Sequence, residues 1–193
     1  MRKTSMRKIS VRLAITIILG FALASTSYPA SLAGIILPDA NQVGGTTLVL
    51  NGLGLRTKYM VKVYVAGLYL EHKSSDANAV LQADVTKRIV MQFVHSVSKD
   101  QMADAFDESF SENAPDARKT MKADVDRFCG ALEALRDGDQ MVLTYVPAVG
   151  TTLAVTGRDK LTIPGPAFGQ MLFSVWLGPK PPNAGLKKGL LGE

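Results

Sequence analysis

The sequence predicts an α+β fold in which an antiparallel β-sheet packs against a layer of α-helices. Three observations lead there. Stretches within residues 47–94 alternate at period two, residues 98–135 repeat apolar side chains at helical spacing, and residues 141–156 read as a β-hairpin. The order of strands, helices, strands and a further helix suits an antiparallel sheet covered on one face. A chain of 193 residues holds one such domain with a removable appendage.

The appendage comes first. Residues 1–33 carry Arg2, Lys3, Arg7, Lys8 and Arg12 with no acidic residue, and the twelve residues from Leu13 to Ala24 are almost wholly apolar. As a helix they would span roughly 18 Å, short of a bilayer core of about 30 Å. Small residues follow, with Ser31 and Ala33 suitably placed before a cut and Ala22 and Ala24 marking an earlier alternative. This is the order of a secretory signal peptide, expected to be removed after Ala33. The domain is then residues 34–193, periplasmic or secreted, with no stable membrane span after signal removal.

Pro38 and Gly44-Gly45 punctuate the approach to a β region beginning at Thr47. A long β run is expected from Lys58 to Leu70, with Val61, Val63, Val65 and Tyr69 on one face. Lys58, Met60, Lys62, Tyr64, Ala66 and Leu68 fall on the other. Lys87–Val94 forms a second strand, where Ile89, Met91 and Phe93 alternate with Arg88 and Gln92. Ser98 and Gln101 make a capping box ahead of Met102, Phe106 and Phe110. A second helix is expected from Pro115, its stripe being Met121, Val125, Phe128, Leu132 and Leu135, with Gly138 ending it. Met141–Val146 and Thr151–Thr156 then pair, residues 157–160 turn, and Leu161–Ile163 extends the sheet. Pro166–Trp176 and Leu186–Leu191 supply two closing helices, the second a short docking segment.

Charge and cysteine content exclude several classes. Of 22 basic residues, removing the five in the leader leaves 17 against 17 acidic ones, so the body is formally neutral and nucleic acid is not an expected partner. The single Cys129 cannot form an intramolecular disulfide and reads as a small buried hydrophobe. His72 and His95 lack the spacing of a metal pair, so no metal site is expected. Gly52-Leu53-Gly54 lacks the third glycine and following helix of a phosphate-binding loop, and reads as a bulge or tight bend.

Taken as a series, Asn51-Gly52-Leu53-Gly54-Leu55-Arg56 followed by Val63-Tyr64-Val65-Ala66-Gly67-Leu68-Tyr69-Leu70-Glu71 resembles the chalcone isomerase superfamily. The closing Val175-Trp176-Leu177-Gly178, with Pro181 and residues 186–192, is similar to its bacterial exported, chalcone isomerase-like branch. The resemblance spans about residues 38–192. It implies an open-faced sandwich of sheet and helices with an apolar cleft between them, and no cofactor.

In catalytic plant members an Arg after the glycine pattern meets the substrate oxyanion, and Arg56 occupies that place. Tyr64 stands where those enzymes carry a polarising Thr. Their helical Tyr-x-x-Lys-x-x-x-Asn has no counterpart: the corresponding stretch runs from Ala117 through Thr120 to Asp124, and no Tyr occurs between Tyr69 and Tyr145. The resemblance therefore implies a binding protein for a small apolar ligand with an anionic head, such as a fatty acid, held by Arg56, Lys62 and Tyr64. The alternative is an isomerase of the intramolecular lyase class, with Arg56 and Tyr64 as catalytic residues and little expected turnover of a chalcone. A third reading is a structural or interaction module in which Arg56 forms an internal salt bridge.

Overall fold

The computed structural model describes residues 30–193. The basic and apolar parts of the expected leader lie outside the described residues. A small hairpin of β1 (Ser31–Leu32) and β2 (Ile35–Ile36) precedes the main sheet. That sheet is an antiparallel meander of seven strands in chain order: β3 (Ala40–Val43), β4 (Thr46–Lys58), β5 (Val61–Leu70), β6 (Lys87–Phe93), β7 (Gln140–Val146), β8 (Gly150–Val155) and β9 (Arg158–Ile163). The helices are α1 (Ala77–Gln82), α2 (Lys99–Asn113), α3 (Pro115–Thr120), α4 (Lys122–Ala131), α5 (Pro166–Leu177) and α6 (Ala184–Leu190). The α+β class and the antiparallel sheet agree with the sequence reading.

One face of the sheet carries the main core. Ala66, Leu68, Ile89, Met91 and Leu143 point into it, and Phe106, Phe110, Phe128 and Phe168 meet there in a network of tilted and edge-on rings. Helix α5 lies at its centre. Phe168, Gly169 and all residues from Met171 to Leu177 are buried, because its sequence is apolar around the whole helix. The opposite face holds a smaller cluster of Leu37, Leu48, Leu50, Tyr69 and Val90. Residues 30–38 help to cover it, and the Tyr69 hydroxyl donates to the Pro38 carbonyl at 2.8 Å.

Three sequence expectations need correction. The run from Lys58 to Leu70 is not one strand, since β4 and β5 are joined by a two-residue turn at Tyr59-Met60. Both turn residues have positive φ, 48° and 68°, which suits Asn-Gly far better than bulky side chains and costs on the order of 1 kcal/mol each. The second predicted helix is two helices broken at Met121, and it stops at Ala131. Leu132 and Leu135 are buried by an extended segment whose Leu135 pairs with Val97, N to O at 2.8 and 2.9 Å. Tertiary pairing there satisfies backbone groups that a longer helix would have satisfied internally. Gly138 lies beyond it in a turn, at φ 89°. Residues 158–160 belong to β9 rather than to a turn. Helix α1 was not expected from the sequence; Asp76 caps it by accepting from Asn78 and Ala79, and the buried Lys87 ammonium binds the Val80 and Ala83 carbonyls at its far end.

The glycine motif has a different purpose from a simple bend. Helix α6 lies directly on β4: a Cβ on Gly52 would overlap the Gly189 carbonyl oxygen, and one on Gly54 would overlap the Leu186 carbonyl oxygen. Asn51 completes the joint. Its amide donates to the Leu190 carbonyl at 2.8 Å and its oxygen accepts from Ser74 N–H at 2.8 Å. Replacing Gly52 by Ala should force α6 away from the sheet and cost at least about 1–3 kcal/mol. Gly45→Ala meets open space and should be nearly neutral. Thermal denaturation of the two variants checks this; equal midpoints would show that the helix does not depend on the close approach.

Candidate functional site

A cleft of about 580 Å³ opens between the sheet and helices α2 and α5. Val61, Val63, Tyr64, Met91, Phe93 and Met141 line its sheet wall. Met102, Phe106, Val175 and Trp176 line the helical wall. Arg56, Lys58, His95, Glu108, Glu112 and Lys180 supply charged or polar groups. The volume, and walls in which apolar side chains are joined by charged and polar ones, suit a small-molecule site.

Two β-bulges aim the side chains. On β4, Leu50 pairs with Tyr69 but Gly52 pairs with Leu68, so Asn51 is an extra residue. On β5, Arg56 pairs with Tyr64 but Thr57 pairs with Lys62, so Val63 is extra. Each bulge shifts the alternation by one residue. Upstream of the first, Leu48 and Leu50 face the smaller cluster; downstream, Gly54 and Arg56 face the helices. The second brings Val61, Val63 and Tyr64 together on the cleft wall while Lys62 is left exposed and outside the lining. The sequence reading placed Lys62 beside Tyr64 by counting in twos. The extra residue at Val63 breaks that count, and Lys62 is not a cleft residue.

Arg56 and Tyr64 are direct cross-strand partners. The Arg56 Nη1 donates to the carbonyls of Thr57 and Pro182, each at 2.7 Å. Among the described residues no carboxylate pairs with it. The internal salt bridge of the structural-module reading is absent among the described residues; the carbonyl contacts orient the guanidinium without neutralising it. Tyr64 packs on Phe93 with ring centroids 5.3 Å apart, and its hydroxyl accepts from Trp176 Nε1–H at 3.0 Å. Burial pushes the Tyr64 phenol above its ordinary pKa, while the Trp176 hydrogen bond and the Arg56 charge oppose that rise. At neutral pH the phenol keeps its proton, leaving an O–H donor at the cleft wall.

Trp176 is the residue that sequence reasoning missed. It lies 112 positions from Tyr64, and only its place in the closing motif singled it out. The stretch from Ala117 to Asp124 does not line the cleft; α2 forms that wall instead, with Gln101, Ala105 and Ser109. Gly52 and Gly54 admit α6 rather than a ligand. Cys129 is half-buried, and burial raises its thiol pKa, as expected of an inert cysteine.

A family model described as chalcone isomerase-like matches residues 29–192. The chain belongs to the chalcone isomerase-like family. The fold of this chalcone isomerase-like protein is similar to the crystal structure of a fatty-acid binding protein from Arabidopsis thaliana. The TM-score is 0.64 at 15% identity, covering 82% of this chain and 92% of that one. At such identity the likeness establishes the fold. No curated protein matches the sequence.

Replacing Tyr64 by Phe should leave the Trp176 N–H without its acceptor and destabilise the protein by about 1–3 kcal/mol. It should also remove one late phenol from an alkaline spectrophotometric titration. Because the folded pKa is raised, the stability that Tyr64 contributes is complete below pH 10 and is lost as pH climbs through the folded value. A titration curve unchanged by Tyr64→Phe up to the unfolding pH would contradict this assignment.

Proposed function

We propose that this protein binds a small apolar carboxylate, such as a fatty acid, with its tail in the cleft and its head group at Arg56. The observation that carries the reading is a half-buried guanidinium, unpaired with any carboxylate among the described residues, at an apolar cleft of about 580 Å³. A cation in that setting gains from an incoming anion, because partial removal from water strengthens the attraction. With Nη1 committed to two carbonyls, the remaining N–H groups can serve a carboxylate. Each buried methylene of a tail adds about 0.8 kcal/mol, so the cleft supplies affinity and Arg56 orientation. The plant neighbour's description as a fatty-acid binding protein supports the same ligand class.

A second reading, ring closure by an intramolecular lyase, is favoured by the protonated Tyr64 phenol beside Arg56. That pair could stabilise a developing oxyanion. Helices α2, α3 and α4 supply no phenol to join them, which favours binding over turnover.

Oleate titrated into wild type, Arg56→Lys and Arg56→Ala should bind best to wild type and at least tenfold more weakly to Arg56→Ala. The same wild-type preparation should cyclise a chalcone no faster than buffer. Equal oleate affinities would remove the anchor, and saturable flavanone formation lost in Arg56→Ala would establish the lyase instead.

Export forms part of the proposal, with cleavage after Ala24 rather than after Ala33. Ala33 and Gly34 are the turn of the β1–β2 hairpin, at φ 51° and 83°, with Ser31 opposite Ile36 and Leu32 opposite Ile35. A cut between them would remove β1 and also Ala30, which packs on the smaller cluster and accepts from Leu37 N–H at 3.3 Å. N-terminal sequencing of the exported protein should begin at Ser25. A start at Gly34 would show that the hairpin is dispensable, and an intact Met1 would defeat export with processing.

A further inference from the structure

We infer that the β4–β5 turn is a lipid-docking tip that sets the mouth of the cleft against a membrane surface carrying anionic headgroups. At this tip Tyr59 is 90% exposed, Met60 98% and Val61 43%. Together they form the most exposed group of large apolar side chains among the described residues. Among the described residues, neither Tyr59 nor Met60 belongs to a hydrophobic cluster. Tyr59 and Met60 also hold the positive φ values that a two-residue hairpin turn demands, 48° and 68°. Asn-Gly would satisfy the same turn without strain and without exposed apolar surface. A local rule broken with no return in folded-state packing marks a position kept for contact with something else.

The flanking chemistry identifies that partner. Lys58 and Lys62, both exposed, bracket the tip, and the Lys58 ammonium lies 5.9 Å from the centroid of the Tyr59 ring. Residues 51–70 contain no acidic side chain. An aromatic and a thioether flanked by lysines match the interfacial zone of a bilayer, where Tyr sits at headgroup level and basic groups meet anionic lipid. A two-residue tip is too small for a stable protein interface, which needs about 1,000 Å² or more. The carboxylates at the cleft, Glu108 and Glu112, belong to α2 on the opposite wall, and Glu112 faces Lys180 at 3.8 Å.

Position gives the tip its purpose. Lys58, Tyr59 and Val61 also line the cleft, so the surface that would enter the headgroup region is continuous with the apolar site. An acyl chain could pass between bilayer and cleft without crossing bulk water. This direction of transfer rests on the acyl-ligand reading above, whereas docking itself does not.

Two variants test it while sparing the cleft, because neither residue lines it. Met60→Gly removes the apolar tip and relieves the strained turn, so it should fold with an equal or higher melting temperature. Lys62→Glu reverses a flanking charge. Residues 25–193, which include every described element, are sedimented with phosphatidylcholine vesicles with or without phosphatidylglycerol. Wild type should sediment with the phosphatidylglycerol vesicles, more weakly with phosphatidylcholine alone and more weakly as salt is raised. Met60→Gly combined with Lys62→Glu should reduce vesicle binding at least tenfold and leave oleate affinity in vesicle-free buffer unchanged. Absence of wild-type sedimentation, equal sedimentation of the variant, or a stoichiometric protein partner held by the tip without lipid would overturn docking. Failure of the vesicle-free oleate titration with vesicle binding intact would instead remove the ligand reading and leave the docking tip standing.

Discussion

The close backbone approach of α6 to β4 is the constraint on which the cleft depends. A helix can lie this near a strand only where side chains are missing at the contact, and Gly52, Gly54 and Gly189 provide that gap. Asn51 then binds the Leu190 carbonyl, Asn183 exchanges hydrogen bonds with Leu55 and Thr57, and Arg56 holds the Pro182 carbonyl. Every polar residue of the Asn-Gly-x-Gly-x-Arg series therefore contacts the C-terminal segment. The motif is first a seat for residues 182–192, and Arg56 occupies both the seat and the cleft.

That double position explains why Arg56 is fixed. A free arginine at a strand end would lose substantial side-chain entropy on binding an anion. Here two carbonyls already hold one nitrogen, so much of that loss is met during folding. The carbonyls partially solvate the charge but do not cancel it. Tyr64, tied to Trp176 of the central α5 helix, is fixed in the same way from the opposite wall. The cleft combines fixed polar groups with apolar walls, and its open mouth lies beside a hairpin tip that is strained and exposed.

The bulges at Asn51 and Val63 show how a single residue can govern a site. Without the extra residue at Val63, the alternation that places Tyr64 in the cleft would also place Lys62 there and turn Val61 away. The observed arrangement makes the cleft more apolar and leaves Lys62 outside it and exposed, with Lys58 at the rim.

The sequence by itself determined the class of fold, most of the strands, the capping box at Ser98 and the helical stripe of Met102, Phe106 and Phe110, because these follow from local periodicity and short-range hydrogen bonding. It also drew attention to Arg56 through a motif. Only the tertiary structure decided what surrounds that arginine. Lys62 left the site because a bulge is invisible to a count by twos, and Trp176 joined it because a contact across 112 residues leaves no local trace. Likewise Leu132 and Leu135 continue a helical stripe in sequence, yet pairing with Val97 draws the chain out into an extended segment. Local pattern fixes which surface each element must bury. The partner that buries it, and the residue at which the phase shifts, depend on packing between distant parts of the chain.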